Sequence, residues 1–139
     1  MDTVPEVKPA FWQSFNSAAS VYAVGEVFNG DIAYVSPFQG SALDGVLSYP
    51  MYYALRDVFG SGHSFTQLQS VTEGMSAAFK DTGLLGSFLD NHDNERYLNI
   101  DGADQVNYKN ALLYMLFSPG IPIVYYGSEQ GFSGGADPA

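Results

Sequence analysis

Four short runs of apolar, β-branched and aromatic residues punctuate the chain, at positions 21–27, 45–48, 84–89 and 121–126. None shows the strict apolar/polar alternation of a half-solvated strand, and each reads as a strand buried on both faces. The stretches between them carry helical spacing. Leu68, Val71, Met75 and Phe79 recur at steps of three and four, which lines one apolar face of a helix after Ser64, with Gln67 placed to complete a capping box. Pro9 and Pro50 suit the first turns of helices over about 9–19 and 50–59, and Asp104 suits the N-cap of a helix running to about Phe117.

Strands alternating with helices require parallel strands joined by right-handed crossovers, so the predicted class is α/β. The runs begin near 21, 45, 84 and 121, close to the spacing of about 30 residues per unit in a (β/α)8 barrel of about 250 residues. A partial (β/α)8 TIM barrel of about four β/α units is expected, forming one domain over residues 1–139. An open parallel sheet this apolar exposes unpaired backbone and hydrophobic edges. Further strands are therefore expected outside the chain, and the glycine-rich stretch 131–139, with no helix predicted after the last strand, points the same way.

Composition narrows the partners. A hydrophobic content of 46% with 15% aromatics belongs to a globular protein rather than a disordered one. Five Lys+Arg against fifteen Asp+Glu give a net charge of −10, which repels a phosphate backbone and offers no basic patch to anionic lipid. Nucleic acid and membrane surface drop down the list of partners, and neither is expected, whereas an uncharged polysaccharide approaches an acidic cleft with little electrostatic penalty. Acidic loops also suit a hard cation such as calcium. With no cysteine there is neither a disulfide framework nor a thiolate metal site. No apolar run reaches the ~20 residues of a membrane span. No signal peptide is read in this chain; if Met1 is an interior residue, the targeting segment lies upstream.

In a parallel α/β barrel the C-terminal ends of the strands converge on one face, and reacting groups sit on the loops there. Glu26 follows the first run directly, and Asp90, Asn91, His92 and Asp93 follow the third. Asp2 lies just before the Pro-containing turn and first helix, where a preceding strand would end. Taken singly, each has a plainer reading. A lone Glu at a strand end is ordinarily a solvated loop residue, Asp-Asn-His-Asp-Asn is ordinarily an Asx-type turn, and Asp2 is a terminal acid. Two acids and a histidine within four residues also offer metal ligands, but His63 is the sole other histidine, which argues against a transition-metal site. Together, carboxylates at three strand ends of one sheet face a shared cleft, and a carboxyl pair is the minimum equipment for glycoside hydrolysis.

These segments also carry a family resemblance. The segment Val24-Gly25-Glu26-Val27-Phe28-Asn29-Gly30-Asp31 resembles the fifth-strand motif of the α-amylase family. Ser87-Phe88-Leu89-Asp90-Asn91-His92-Asp93-Asn94 resembles its seventh-strand motif. Asp2-Thr3-Val4 is similar to the end of the fourth-strand motif, whose aspartate is normally preceded by Gly-x-Arg-x, a part not present here. The eighth-strand run from Gly120 to Gln130 and the loop Gly134-Gly135-Ala136-Asp137-Pro138 extend the similarity along almost the whole chain, closest to secreted fungal α-amylases.

The resemblance implies the C-terminal half of a catalytic barrel and retaining hydrolysis of internal α-1,4-glucosidic bonds in starch or glycogen. It implies Asp2 as nucleophile, Glu26 as general acid and then base, and Asp93, with His92, as transition-state and substrate contacts. Gly30 is implied to let the backbone approach substrate. Where many family members carry Lys-His after the nucleophile, this chain has Pro5 and Glu6; a backbone carbonyl survives such a change, so Glu6 is implied as a calcium ligand, with the remaining ligands outside this chain. Implied too are an α-glucan polysaccharide or oligosaccharide as partner, a secreted location and a monomeric full-length protein. The chain by itself is expected to release no reducing sugar from starch. The alternatives are a non-catalytic carbohydrate-binding relative or inactive truncated product, and an α-glucosidase or transglycosylase of the same family. The bland expectation for Tyr53, Phe79, Tyr114 and Phe117 is core packing, for Arg96 a structural loop role, and for Tyr125 and Tyr126 one ring inward and one towards the helices.

Overall fold

The computed structural model describes residues 1–135. Strand β1 (Val24–Gly25) pairs with β2 (Gly45–Val46), and β3 (Gly86–Ser87) with β4 (Ile121–Pro122), both in parallel. A parallel bridge between Leu47 and Gly86 joins the two pairs, with the Ser48 N–H donating to the Gly86 carbonyl at 2.8 Å. The strands therefore lie side by side in chain order. Alongside β1, the Met1 amine donates to the Val24 carbonyl and the Glu26 N–H to the Met1 carbonyl, each at 2.7 Å. This is one further parallel rung, and it leaves Asp2 at a strand end, as expected.

The ladders are shorter than the apolar runs. Val21 and Tyr22 lie ahead of β1 and are exposed, and the Tyr22 hydroxyl donates to the Leu84 carbonyl at 2.7 Å. Leu84 belongs to a 3-10 turn, Thr82–Leu84, rather than to β3. Apolar content records burial, and Leu85, Phe88 and Leu89 are indeed buried; ladder bonding needs a neighbour in register as well.

Helices α1 (Pro9–Ala19) and α5 (Gln105–Phe117) match their predicted spans. Asp104 caps α5 by accepting the Val106 and Asn107 N–H groups at 2.7 and 2.8 Å, which satisfies two of the unpaired first-turn donors. A short α2 (Ile32–Val35), capped by Asp31, comes after β1. The helix predicted over 50–59 is divided: α3 (Tyr49–Leu55) passes into a π turn, Arg56–Gly60. Ser64 caps α4 (Phe65–Ala78), but the capping box does not close. The Gln67 side chain donates to Asp57 at 2.8 Å instead of reaching back to Ser64, because the π turn brings that carboxylate within range.

Residue alternation along the strands sorts two layers. Ala23, Val27, Val46, Leu85 and Leu89 face the helices and form one core with Trp12, Val35, Leu55, Leu68, Met75 and Met115. Each buried Val, Leu or Met side chain of this set contributes about 1.5–3 kcal/mol. Of the four aromatics expected in the core, Phe79 is buried and Tyr114 packs against the core, whereas Tyr53 is 38% and Phe117 85% exposed. Helical spacing assigns a face; whether another element covers that face is not written in the period.

Candidate active site

The inner face of the sheet carries Val24 and Glu26, Leu47 and Tyr49, and Gly86, Phe88 and Asp90, each set two residues apart, with Ile123 beside Gly86. Gly86 shows how closely the strands approach there: a Cβ would come within 2.9 Å of Ile123, 3.0 Å of Leu47 and 3.5 Å of Val24. Past the strand ends this face opens into a hollow of about 670 Å³ whose lining includes Asp2, Glu26, Tyr49, His92, Asp93 and Tyr125. The three carboxylates and the histidine singled out in the sequence thus meet at one rim of the sheet.

Asp2 and Glu26 are joined through the backbone between them. The Thr3 N–H donates to Glu26 Oε2 at 3.1 Å, and the Val4 N–H to the Glu26 carbonyl at 3.0 Å. Thr3 reaches this geometry in the left-handed region, at φ 45° and ψ 45°, a conformation that costs a β-branched residue about 1–3 kcal/mol. The neighbouring Val4 holds that strain in place: it is fully buried, and the indole of Trp12 donates to its carbonyl at 2.9 Å.

Beyond β3 the four polar side chains divide their work. Asp90 is buried and accepts the Tyr97 N–H at 2.6 Å, the Tyr108 hydroxyl at 2.8 Å and the Ser128 hydroxyl at 3.3 Å, with the Arg56 guanidinium 3.7 Å away. Arg56, from the π turn, also donates to the Leu89 and Glu95 carbonyls. Asn91 folds back as an Asx-type turn, its Oδ1 accepting the Asn94 N–H and Nδ2–H at 3.0 Å each. Its own Nδ2 donates to the Tyr49 hydroxyl at 3.0 Å. The turn is formed, and it presents exposed His92 and Asp93 to the hollow, 3.2 Å apart. Burial first, and then the neighbouring Glu26, push the Tyr49 phenol far above its ordinary range, so it stays neutral.

Two implied residues stand elsewhere. Gly30 is not among the residues lining the hollow; a Cβ on it would lie 2.9 Å from the Tyr53 ring, so in this structure it makes room for that ring. Glu6 is the exposed last residue of a 3-10 turn, Val4–Glu6, and among the described residues no three His, Asp or Glu side chains gather as a metal site. Tyr125 and Tyr126 both line the hollow rather than dividing between its two sides, because the ladder stops at Pro122 and alternation stops with it. Arg96 is buried beneath them, its guanidinium 4.4 and 4.9 Å from their ring centres. Sequence reasoning passed over Tyr49, Arg56 and Tyr108. A charge among the apolar residues of 49–60 was the available signal for Arg56; the two tyrosines are indistinguishable by pattern from core residues.

The family model described as alpha amylase, catalytic domain, matches residues 2–137. The chain belongs to the α-amylase family. Alpha-amylase 1 of Lipomyces kononenkoae is 46% identical over 139 residues, covering 99% of this chain and 22% of that protein. Alpha-amylase 2 of Schwanniomyces occidentalis is 42% identical, covering 99% and 27%. Among solved structures, an α-amylase from Malbranchea cinnamomea superposes with a TM-score of 0.93 at 42% identity, covering 99% of this chain and 29% of that one. The α-amylase of Geobacillus thermoleovorans, solved in complex with acarbose, gives 0.86 at 34% identity, covering 95% and 32%. The chain spans 22% to 32% of these α-amylases, and its parallel sheet with covering helices is part of a TIM-type barrel. The Ala136-Asp137-Pro138 portion of the last resemblance lies outside the described residues.

Proposed function

We propose that residues 1–139 are the last four β/α units of an α-amylase catalytic barrel, and that the protein carrying them hydrolyses internal α-1,4-glucosidic bonds of starch or glycogen with retention of configuration. The reading is carried by one observation: Asp2, Glu26 and Asp93, from three separate loops, line a single hollow of about 670 Å³ together with His92. The α-amylase relatives support the choice of α-glucan. In this reading Asp2 attacks the anomeric carbon and the bond to the departing oxygen breaks as Glu26 gives that oxygen its proton. Glu26 then takes a proton from water, which attacks the glycosyl-Asp2 ester and frees the nucleophile. Asp93 accepts hydrogen bonds from sugar hydroxyls that tighten as the ring flattens, and His92 donates to the same sugar. Gly30 remains a proposed substrate-side position one loop away.

The described residues do not by themselves fit a calcium ion, which takes six to eight oxygens; Glu6 would add one carbonyl to ligands supplied from outside this chain, and no step of the reaction runs through the metal. A secreted, monomeric protein is part of the same proposal. It rests on the resemblance to fungal enzymes. The test is Glu26→Gln and Asp93→Asn in the protein as its host makes it, assayed by reducing sugar from soluble starch. Each should lower kcat by about 10²–10⁴ while leaving the fold intact by circular dichroism. Full activity in Glu26→Gln refutes the assignment.

A further inference from the structure

We infer that Tyr49 is a positioning residue for the reaction, acting through Asn91 to hold the turn that presents His92 and Asp93. The inference rests on the hydrolytic reading and assigns to it a residue two strands away from Asp2. The Tyr49 ring is fully buried and fixed on several sides, with the rings of Phe28, Phe88, Tyr52 and Tyr53 at 4.6, 5.1, 5.6 and 6.1 Å. A ring so confined has its hydroxyl in one place. That hydroxyl accepts the Asn91 Nδ2–H at 3.0 Å. The other arm of the same amide, Oδ1, closes the turn by taking the Asn94 N–H and the Asn94 side chain. His92 and Asp93 are the two residues spanned by that closure. An amide plane cannot swing at one end without moving the other, so loss of the acceptor on Tyr49 releases the Asn91 amide towards solvent and pulls Oδ1 off Asn94.

The turn has a second anchor in Asp90, bonded to Tyr97 and Tyr108. That anchor fixes where the loop leaves the strand. Its hydrogen bonds go to residues outside the segment between Asn91 and Asn94, which leaves the Tyr49–Asn91 bond to set the orientation of the turn itself. Asp93 interacts with the substrate most strongly when the sugar ring is distorted, so a looser Asp93 weakens transition-state binding more than ground-state binding.

The test uses Tyr49→Phe, which keeps the ring and removes only the acceptor, together with Asn91→Ala and the double variant, all in the protein as its host makes it. Tyr49→Phe should lower kcat on soluble starch about tenfold, the effect of one lost hydrogen bond, with KM within about twofold and the limbs of the pH profile unmoved. The double variant should be no slower than the slower single, because both remove one coupling. Multiplying losses, or a raised KM with kcat intact, overturns the inference. A crystal structure of Tyr49→Phe decides the matter without activity: the Asn91 amide should rotate and its contacts with Asn94 lengthen, and an unmoved Asn91 and Asp93 contradict it. A wild-type protein inactive on starch would remove the hydrolytic reading, while that crystal structure would still decide the positioning role.

Discussion

Asp90→Ala isolates the one buried carboxylate in the loop that builds the candidate site. Its side chain is 2% exposed and receives three hydrogen bonds, two of them at 2.6 and 2.8 Å, beside a guanidinium that is itself 10% exposed. Removal leaves the Tyr97 N–H and the Tyr108 hydroxyl without an acceptor and takes from Arg56 the nearer and more buried of its two carboxylates, leaving only the half-exposed Glu95 at 4.0 Å. A hydrogen bond to a charged group is worth about 1.5–3 kcal/mol, and breaking a buried pair by deleting one member costs about 3–5 kcal/mol. These losses overlap rather than add, so about 4 kcal/mol is expected. With a urea slope of about 2 kcal/mol/M, the unfolding midpoint should fall by roughly 2 M. Asp90→Asn retains one carbonyl oxygen for the Tyr97 N–H and loses the charge, which predicts about half that shift. The double variant Asp90→Asn, Arg56→Met should recover part of it, since no mostly buried cation is left with only the half-exposed Glu95 as its counter-charge. A loss below about 1 kcal/mol for Asp90→Ala, less than one charged hydrogen bond is worth, refutes the claim that this carboxylate organises the loop.

Other outcomes concern single residues. Thr3→Gly removes the left-handed strain and should raise stability by about 1 kcal/mol while lowering kcat, because the Asp2 backbone gains freedom; a thermal melt and a starch assay on the same sample check both signs. Gly30→Ala should cost about 1 kcal/mol through the Tyr53 ring at 2.9 Å, and Tyr53→Ala should abolish that cost, whereas an unchanged penalty in that background would mean the Cβ meets something else. Burial pushes Tyr52 and Tyr97 up to about 12 from an ordinary 10.0. A raised folded-state value favours the neutral phenol, so their contribution is complete below about pH 10 and is lost as pH rises towards about 12. Urea midpoints measured across about pH 9 to 12 should decline in that window, and Tyr97→Phe should flatten part of the decline. That variant should also be more stable than wild type at neutral pH, since the buried Tyr97 hydroxyl has no partner among the described residues.

Much of the architecture was legible because burial and periodicity write directly into sequence. Asp104 and Pro9 mark helix starts by local chemistry that needs no tertiary partner, and both helices begin where those residues say. The strand lengths were not legible, since Val21 and Leu84 are as apolar as their paired neighbours. Nor was the fate of Gln67, whose capping role yields to an Asp57 that only the π turn brings near. That Asp2, Glu26 and Asp93 face one hollow was readable from their places at strand ends. Their supports were not: Tyr49, Tyr108 and Arg56 act across 42, 18 and 33–39 residues of chain, and no local pattern encodes a partner so far away. The neighbour of Gly30 was not legible either, since the Tyr53 ring that it makes room for lies 23 residues further along the chain.

Two carboxyls close enough for one to attack and the other to protonate fix the stereochemistry of the product. Proton NMR of the first sugar released from a short α-1,4-glucan by the protein as its host makes it reads that outcome before mutarotation sets in. The α-anomer should appear first and convert slowly to the equilibrium mixture, as expected when the carboxyls stand about 5–5.5 Å apart. A β-anomer as the initial product would place a water between Asp2 and Glu26 and contradict the assignment of Asp2 as nucleophile.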